Sequence, residues 1–190
     1  MEKSPPSLLR RQHTKIVRLL LLSFSLLAAT APGGGVGVSA SYSETQFLGL
    51  EALYNATGGE RWTSSTGWRD AALSVCEWFG VVCDSSGENA TGLSLAGNGL
   101  EGNLSDAAEF FQVISLEDVD LSDNELVGPV ALGLGLMSNL EQLDLSRNGL
   151  SSFPPSWGSE ASSLQHLSLR SNNISGCVVL TIPVYFVSRY

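Results

Sequence analysis

Beyond residue 40 the chain contains no lysine and a single histidine, His166. Its basic residues there are Arg61, Arg69, Arg147, Arg170 and Arg189, whereas all of the 19 acids except Glu2 fall in that stretch. A surface so poor in cations cannot neutralise phosphates, which excludes nucleic acid as a partner. Anionic membrane surfaces are disfavoured for the same reason. One imidazole leaves little scope for a His-based acid–base pair or a multi-His metal site. The cysteines number 3, Cys76, Cys83 and Cys177, and zinc asks for four ligands. No Gly-x-Ser-x-Gly elbow occurs, and Cys177 has only His166 as a possible imidazole partner. Hydrolase chemistry therefore lacks its constellation. No enzyme, cofactor or metal site is expected.

What is present is an apolar fraction of 43%, enough for a core and too high for an intrinsically disordered chain. The length suits one domain of about 150 residues after a leader. That leader occupies residues 1–40. Arg10, Arg11, Lys15 and Arg18 precede an apolar run from Leu19 to Ala31, which as a helix would reach only about 20 Å into a core of about 30 Å. The small-residue sequence Val38-Ser39-Ala40 completes a secretory signal peptide cleaved after Ala40. An uncleaved signal anchor is the other reading, because the glycine-rich stretch Pro32 to Val38 makes a long spacer. Neither reading provides a further transmembrane span.

Four segments, beginning at Ala90, Leu116, Leu140 and Leu164, share the frame L-x-x-L-x-L-x-x-N-x-L. Its asparagines are Asn98, Asn124, Asn148 and Asn172, spaced by 26, 24 and 24 residues. In the L-x-L stretch alternate side chains take opposite faces, so Leu93/Leu95, Val119/Leu121, Leu143/Leu145 and Leu167/Leu169 form one buried face. Each segment then supplies one strand of a parallel sheet. The asparagine falls where the chain leaves the strand, and its amide can satisfy backbone groups that would otherwise be buried unpaired. A ladder of four structural asparagines is expected.

The frame resembles the leucine-rich-repeat family, and the L-x-G continuation at Leu100-Glu101-Gly102 and Leu126-Val127-Gly128 is similar to its plant-type subclass. The third repeat departs: Leu150-Ser-Ser-Phe153-Pro154 lacks the glycine and follows the shorter form. The resemblance implies an α/β solenoid with its parallel strands on the concave face. Before the repeats, residues 41–89 form an N-terminal cap. Ser43 to Gln46 fits a capping box, Phe47, Leu50, Leu53 and Tyr54 recur at helical spacing, and Asn55 to Gly59 ends the helix. Trp62, Trp68 and the segment Cys76-Glu-Trp78-Phe-Gly80-Val-Val-Cys83 look like the cysteine cap of plant-type members. That likeness implies a Cys76–Cys83 disulfide, in the oxidising compartment that a signal peptide supplies.

Asn55, Asn89, Asn103 and Asn173 each open an N-glycosylation sequon. The outward strand positions run Gly92/Ser94/Ala96, Asp118/Asp120/Ser122, Gln142/Asp144/Ser146 and His166/Ser168/Arg170, with Asp123 and Arg147 flanking. They grade from small through acidic to basic. Asp118, Asp120, Gln142, Asp144, Arg147, His166 and Arg170 are the candidate ligand-binding face. The opposing reading treats them as solvated positions on a sheet. Asp118-Val-Asp120-Leu-Ser122 begins like a calcium loop but has Asp123 for the turn glycine and Pro129 for the bidentate glutamate.

The function expected is a secreted or cell-surface recognition module that binds a protein or glycan. A truncated ectodomain of a receptor-like protein and a structural wall or matrix glycoprotein are the other readings. The repeats span residues 90–176. Residues 177–190 are apolar and lack a repeat asparagine, which is expected of a truncated ending, the other reading being a lid folded over the last coil.

Overall fold

The computed structural model describes residues 39–154, 163–175 and 186–188. The expectations placed on residues 1–38, on Cys177 and on most of the tail lie outside the described residues. Helix α1 spans Ser39–Ala56. It begins ahead of the expected box at Ser43, since neither glycine nor proline separates Ser39 from Ser43. Gln46 is buried and bonds elsewhere: its Oε1 accepts from the Ala90 backbone N–H at 2.6 Å and its Nε2 donates to the Glu88 carbonyl at 3.2 Å. A capping box does occur downstream. The Ser74 hydroxyl accepts from the Cys76 N–H and Glu77 accepts from the Ser74 N–H, opening the 3-10 turn Val75–Glu77.

Strands β1 (Val81–Cys83) and β2 (Ala90–Ser94) pair antiparallel and start the main sheet. After β2 the chain turns at Asn98, forms β3 (Glu101–Gly102), and returns through the 3-10 segments Leu104–Asp106 and Ala108–Gln112. The second coil repeats that path with β4 (Asp118–Asp120), β5 (Glu125–Pro129) and the 3-10 segment Leu132–Leu136. The third gives β6 (Gln142–Asp144) and β7 (Gly149–Ser152), and the fourth β8 (His166–Ser168). A last strand, β9 (Phe186–Ser188), pairs parallel with β8. The main sheet therefore runs β1-β2-β4-β6-β8-β9, and β3, β5 and β7 make a second, parallel sheet.

Between the two sheets lies the core. Leu93, Leu95, Val119, Leu121, Leu143, Leu145, Leu167 and Leu169 are all buried beneath the main sheet, as alternation requires. Leu126 and Leu150 come from the second sheet and Leu100 from just before β3, while Phe110, Leu134 and Met137 come from the returning segments and their ends.

The second sheet continues through the third coil, although the plant-type glycine is missing there. Gly102 and Gly128 take positive φ of 108° and 85°, the left-handed half of the map that only glycine enters freely. Serines stand in the third coil, and the β5–β7 pairing survives with a register shift between Gly128 and Pro129. The third coil thus keeps its shorter spacing, with Phe153 buried as Val130 is, and the irregular register accommodates it within the second sheet.

Candidate functional site

Strand registry sets two outward rows across the main sheet. Gly92, Asp118, Gln142 and His166 are direct neighbours in one, and Ser94, Asp120, Asp144 and Ser168 in the other. These positions, together with Val82 of β1, line a concave groove of about 500 Å3. Val82 lies over Gly92, where an added Cβ would stand 3.2 Å from the valine Cβ, and it remains 58% exposed. One end of the groove is therefore apolar, its middle is acidic, and His166 stands beyond.

Asp120 and Asp144 are partly shielded and fixed. One oxygen of Asp120 accepts the Ser122 N–H at 2.9 Å, and one of Asp144 accepts the Ser146 N–H at 2.7 Å. Each bond closes an Asx turn at the strand end. The price is that both aspartates serve the turn as well as the surface. Ser122 and Ser146, expected to face outward, are instead buried, at 5% exposure each, because the turn carries them under the strand end. Gly92 is also covered, by Val82.

The seven residues expected to form a ligand face divide into two groups. Asp118, Asp120, Gln142, Asp144 and His166 line the groove. Arg147 and Arg170 follow the strands, outside its lining; Arg147 Nε sits 3.4 Å from Asp123 Oδ1, both side chains being more than half exposed. A pair so exposed contributes at most about 1 kcal/mol. The groove is thus more acidic than the graded sequence pattern suggests. Among the described residues no group of three or more His, Cys, Asp or Glu side chains could hold a metal ion.

Behind the groove, the asparagines supply its rigidity. Asn124 Nδ2 donates to the Leu95 carbonyl of the preceding coil at 2.9 Å and to the Leu121 carbonyl of its own at 3.0 Å. Its Oδ1 accepts from the Asn98 and Leu100 N–H groups, both at 3.0 Å. Asn148 and Asn172 repeat the scheme, accepting from Leu126 and Leu150 and donating to Leu121 and Leu145. Asn98 has no preceding coil and bonds the cap instead: Oδ1 accepts the Ser64 N–H at 2.8 Å and Nδ2 donates to the Ser64 carbonyl at 2.9 Å. Nothing in the repeat frame announces Ser64.

The residue before each ladder asparagine is left-handed: Gly97 at φ 62°, Asp123 at 59°, Arg147 at 52° and Ser171 at 55°. Only the first coil signals this with glycine.

Cys76 and Cys83 are joined by a disulfide, which ties the 3-10 turn to β1 and so to the apolar end of the groove. Gly80, at φ 80°, brings its backbone against β2, where its carbonyl accepts the Ser94 N–H at 2.7 Å. An added Cβ would strike the Ser94 carbonyl. The sequon asparagines all lie off the groove lining. Asn55 and Asn173 are exposed. Asn89 and Asn103 are half-buried, with Asn89 Nδ2 donating to Asp84 at 2.7 Å and Asn103 Oδ1 capping Ser105 at 2.9 Å.

Among the described residues no helix is long and apolar enough to cross a membrane. The family model for the leucine rich repeat matches residues 115–174. An LRR receptor-like serine/threonine-protein kinase of Arabidopsis thaliana is 42% identical over 90 residues, covering 47% of this chain and 7% of its own length. The brassinosteroid LRR receptor kinase of Solanum lycopersicum is 30% identical over 197 residues, covering 85% of this chain and 15% of its own length. The solved PEPR1–AtPEP1 structure superimposes with a TM-score of 0.59 at 28% identity, over 70% of this chain and 19% of that one. This chain thus spans a small part of the relatives it matches, and the kinases among them share only their repeat region with it. With its frame, its paired sheets and these relatives in agreement, the chain belongs to the leucine-rich-repeat family and is similar to the repeat regions of plant receptor-like proteins.

Proposed function

We propose that this chain is a non-catalytic extracellular recognition module that binds a protein or peptide through the concave groove. The observation that carries the reading is the groove itself. Its rows of polar side chains are held in register by the sheet, backed by a buried apolar core and an asparagine ladder, and occupied by no other part of the described chain. A rigid surface of this kind loses little conformational freedom on binding. The disulfide and the receptor relatives support a secreted or cell-surface location. Exposure favours Asn55 and Asn173 as glycan acceptors ahead of Asn89 and Asn103.

The test places bulk in the groove and, separately, on the returning side of a coil. Gln142→Trp fills the groove, whereas Leu132→Ser alters an exposed position on the 3-10 segment. Both variants and the parent chain are screened against a displayed random peptide library and a glycan array. Binders of the parent should be lost with Gln142→Trp and retained with Leu132→Ser. Retention of the same binders by Gln142→Trp would place recognition elsewhere, and binders confined to the glycan array would make the ligand a glycan.

A further inference from the structure

We propose that Asn148-Gly149 is a site of spontaneous covalent modification, at which the ladder amide is converted to aspartate or isoaspartate and the join between the second and third coils is loosened. Each ladder asparagine has a different neighbour after it. Glu125 follows Asn124 and Asn173 follows Asn172, whereas glycine follows Asn98 and Asn148 and no other asparagine of the chain. Glycine has no Cβ to keep its backbone nitrogen from closing on the preceding side chain.

The reaction needs only water. The Gly149 nitrogen attacks Cγ of Asn148, the Cγ–Nδ2 bond breaks, and the proton of the Gly149 N–H leaves with Nδ2 as ammonia. A five-membered imide remains. Water opens it at one carbonyl to give aspartate, or at the other to give isoaspartate, whose main chain runs through the former side chain. Nothing is oxidised or reduced.

Burial separates the two Asn-Gly pairs. Asn98 is 3% exposed and is held through side chain and backbone alike: its amide bonds Ser64 at both atoms, its N–H donates to Asn124 Oδ1, and its carbonyl accepts from the Thr63 N–H. The glycine after it is half-buried. Asn148 is itself only half-buried, and Gly149, the first residue of β7, is exposed. Attack requires the amide to leave its acceptors in a local opening, and such openings favour the less buried parts of a structure. The third coil therefore reaches the reactive arrangement more often than the first.

The bonds show what conversion removes. Asn148 Nδ2 donates to the Leu121 carbonyl of the second coil at 2.9 Å, and to the Leu145 and Ser146 carbonyls of its own at 3.2 and 3.1 Å. An ionised carboxylate has no hydrogen to give, so its charge would face three carbonyl oxygens in place of those bonds. Only the bond that the side chain accepts from the Leu126 N–H can survive. Isoaspartate also lengthens the main chain just before β7, whose pairing with β5 already has an irregular register. Either product weakens the join behind β4 and β6, which carry the middle of the groove.

To test this, the full chain is held at mildly alkaline pH, folded and in urea, and sampled by peptide mapping with fragmentation that tells isoaspartate from aspartate. In urea Asn98 and Asn148 should convert at the same rate. In the folded chain Asn148 should convert about tenfold faster than Asn98, equivalent to roughly 1.4 kcal/mol less to open, while Asn124 and Asn172 stay intact. Converted chains should melt below the parent, and N148D should melt below N148A, which removes the donor without adding charge. G149A should keep Asn148 intact. Its added Cβ would stand 3.2 Å from the Leu126 carbonyl oxygen and 3.3 Å from Val127 Cγ1, so the folded and denatured parent chains are the deciding comparison however well that variant folds. An Asn148 amide still intact in the folded chain when the urea sample is fully converted would overturn the site. Equal rates at Asn98 and Asn148 in the folded chain would overturn the selection of Asn148 by burial. An N148D chain as stable as the parent would overturn the loosening of the coils.

Discussion

The cap and the coils solve the same problem, an end of apolar core that must be covered, by opposite means. In the cap the contacts are individual. Phe47 meets Trp78, Trp78 meets Trp68, and Trp68 meets Trp62 and Tyr54, at centroid separations of 4.8 to 6.0 Å. Arg69 lies over the Tyr54 ring and reaches Glu51 at 3.2 Å. Helix α1 crosses close over the 3-10 segment Ala108–Gln112, because a Cβ on Gly49 would meet Val113 and the Glu109 carbonyl. In the coils one contact recurs, an asparagine amide bridging two turns at each step. Repetition lets each coil borrow its hydrogen bonds from a neighbour. The cap has no neighbour before it and relies on large rings instead. Stability in the cap should accordingly depend on a few side chains, and in the coils on position along the stack.

The largest expected effect is Trp78→Ala. This ring is 2% exposed at the centre of the aromatic cluster, and its truncation should cost about 3–5 kcal/mol in chemical denaturation. Trp78→Phe should cost much less, about 1.5 kcal/mol, because the indole N–H it removes is buried without a partner. Next comes Asn124→Ala, expected to cost about 3 kcal/mol, since it strands buried groups on two coils. Asn148, which is less buried, should cost about 2 kcal/mol when changed in the same way. Equal losses at the two positions would mean that burial along the stack does not grade the ladder. Removing the disulfide with C76S/C83S should fall between those two, at roughly 2.5 kcal/mol for so short a loop. The measurement is again denaturation, beside N98A. If C76S/C83S costs more than Trp78→Ala, the cap depends on its crosslink rather than on its rings.

Periodicity made the coils legible. Leu93, Val119, Leu143 and Leu167 announce strands by alternation, and their registry follows from the frame, so the groove rows could be written down from the sequence. The disulfide was legible only through the family resemblance. Contacts without a period were not. Gln46 sits where a capping box is expected, and its bond to Ala90 spans 44 residues. Ser64 bonds Asn98 across 34 residues, with no repeat to mark it. The left-handed turns at Asp123, Arg147 and Ser171 carry ordinary side chains, so no glycine points to them. Nor does composition show that Ser122 and Ser146 are drawn inward, because that depends on the carboxylates two residues earlier.

The smallest effect is a pH dependence confined to the cap loop. In the loop between β1 and β2, Asp84 accepts from the Ser86 hydroxyl at 2.6 Å and from Asn89 Nδ2 at 2.7 Å, with backbone N–H groups of Ser86 and Glu88 adding to one oxygen. The Ser86 hydroxyl foremost, then the Asn89 amide, hold this carboxyl well below its ordinary value of 3.8. A folded value below the unfolded one means that the ionised group favours the fold. Its contribution is complete above the unfolded value and is lost as pH falls below about 3.8 towards the folded value. The residue is only partly buried, so the effect is modest. Comparing melting temperatures of the parent chain and Asp84→Asn between pH 6 and pH 2 isolates it. The gap should be constant at the upper end and close as pH drops below about 4. A gap for Asp84→Asn that stays fixed down to pH 2 would mean that the loop does not rely on the ionised carboxylate, and that acid weakens this protein elsewhere.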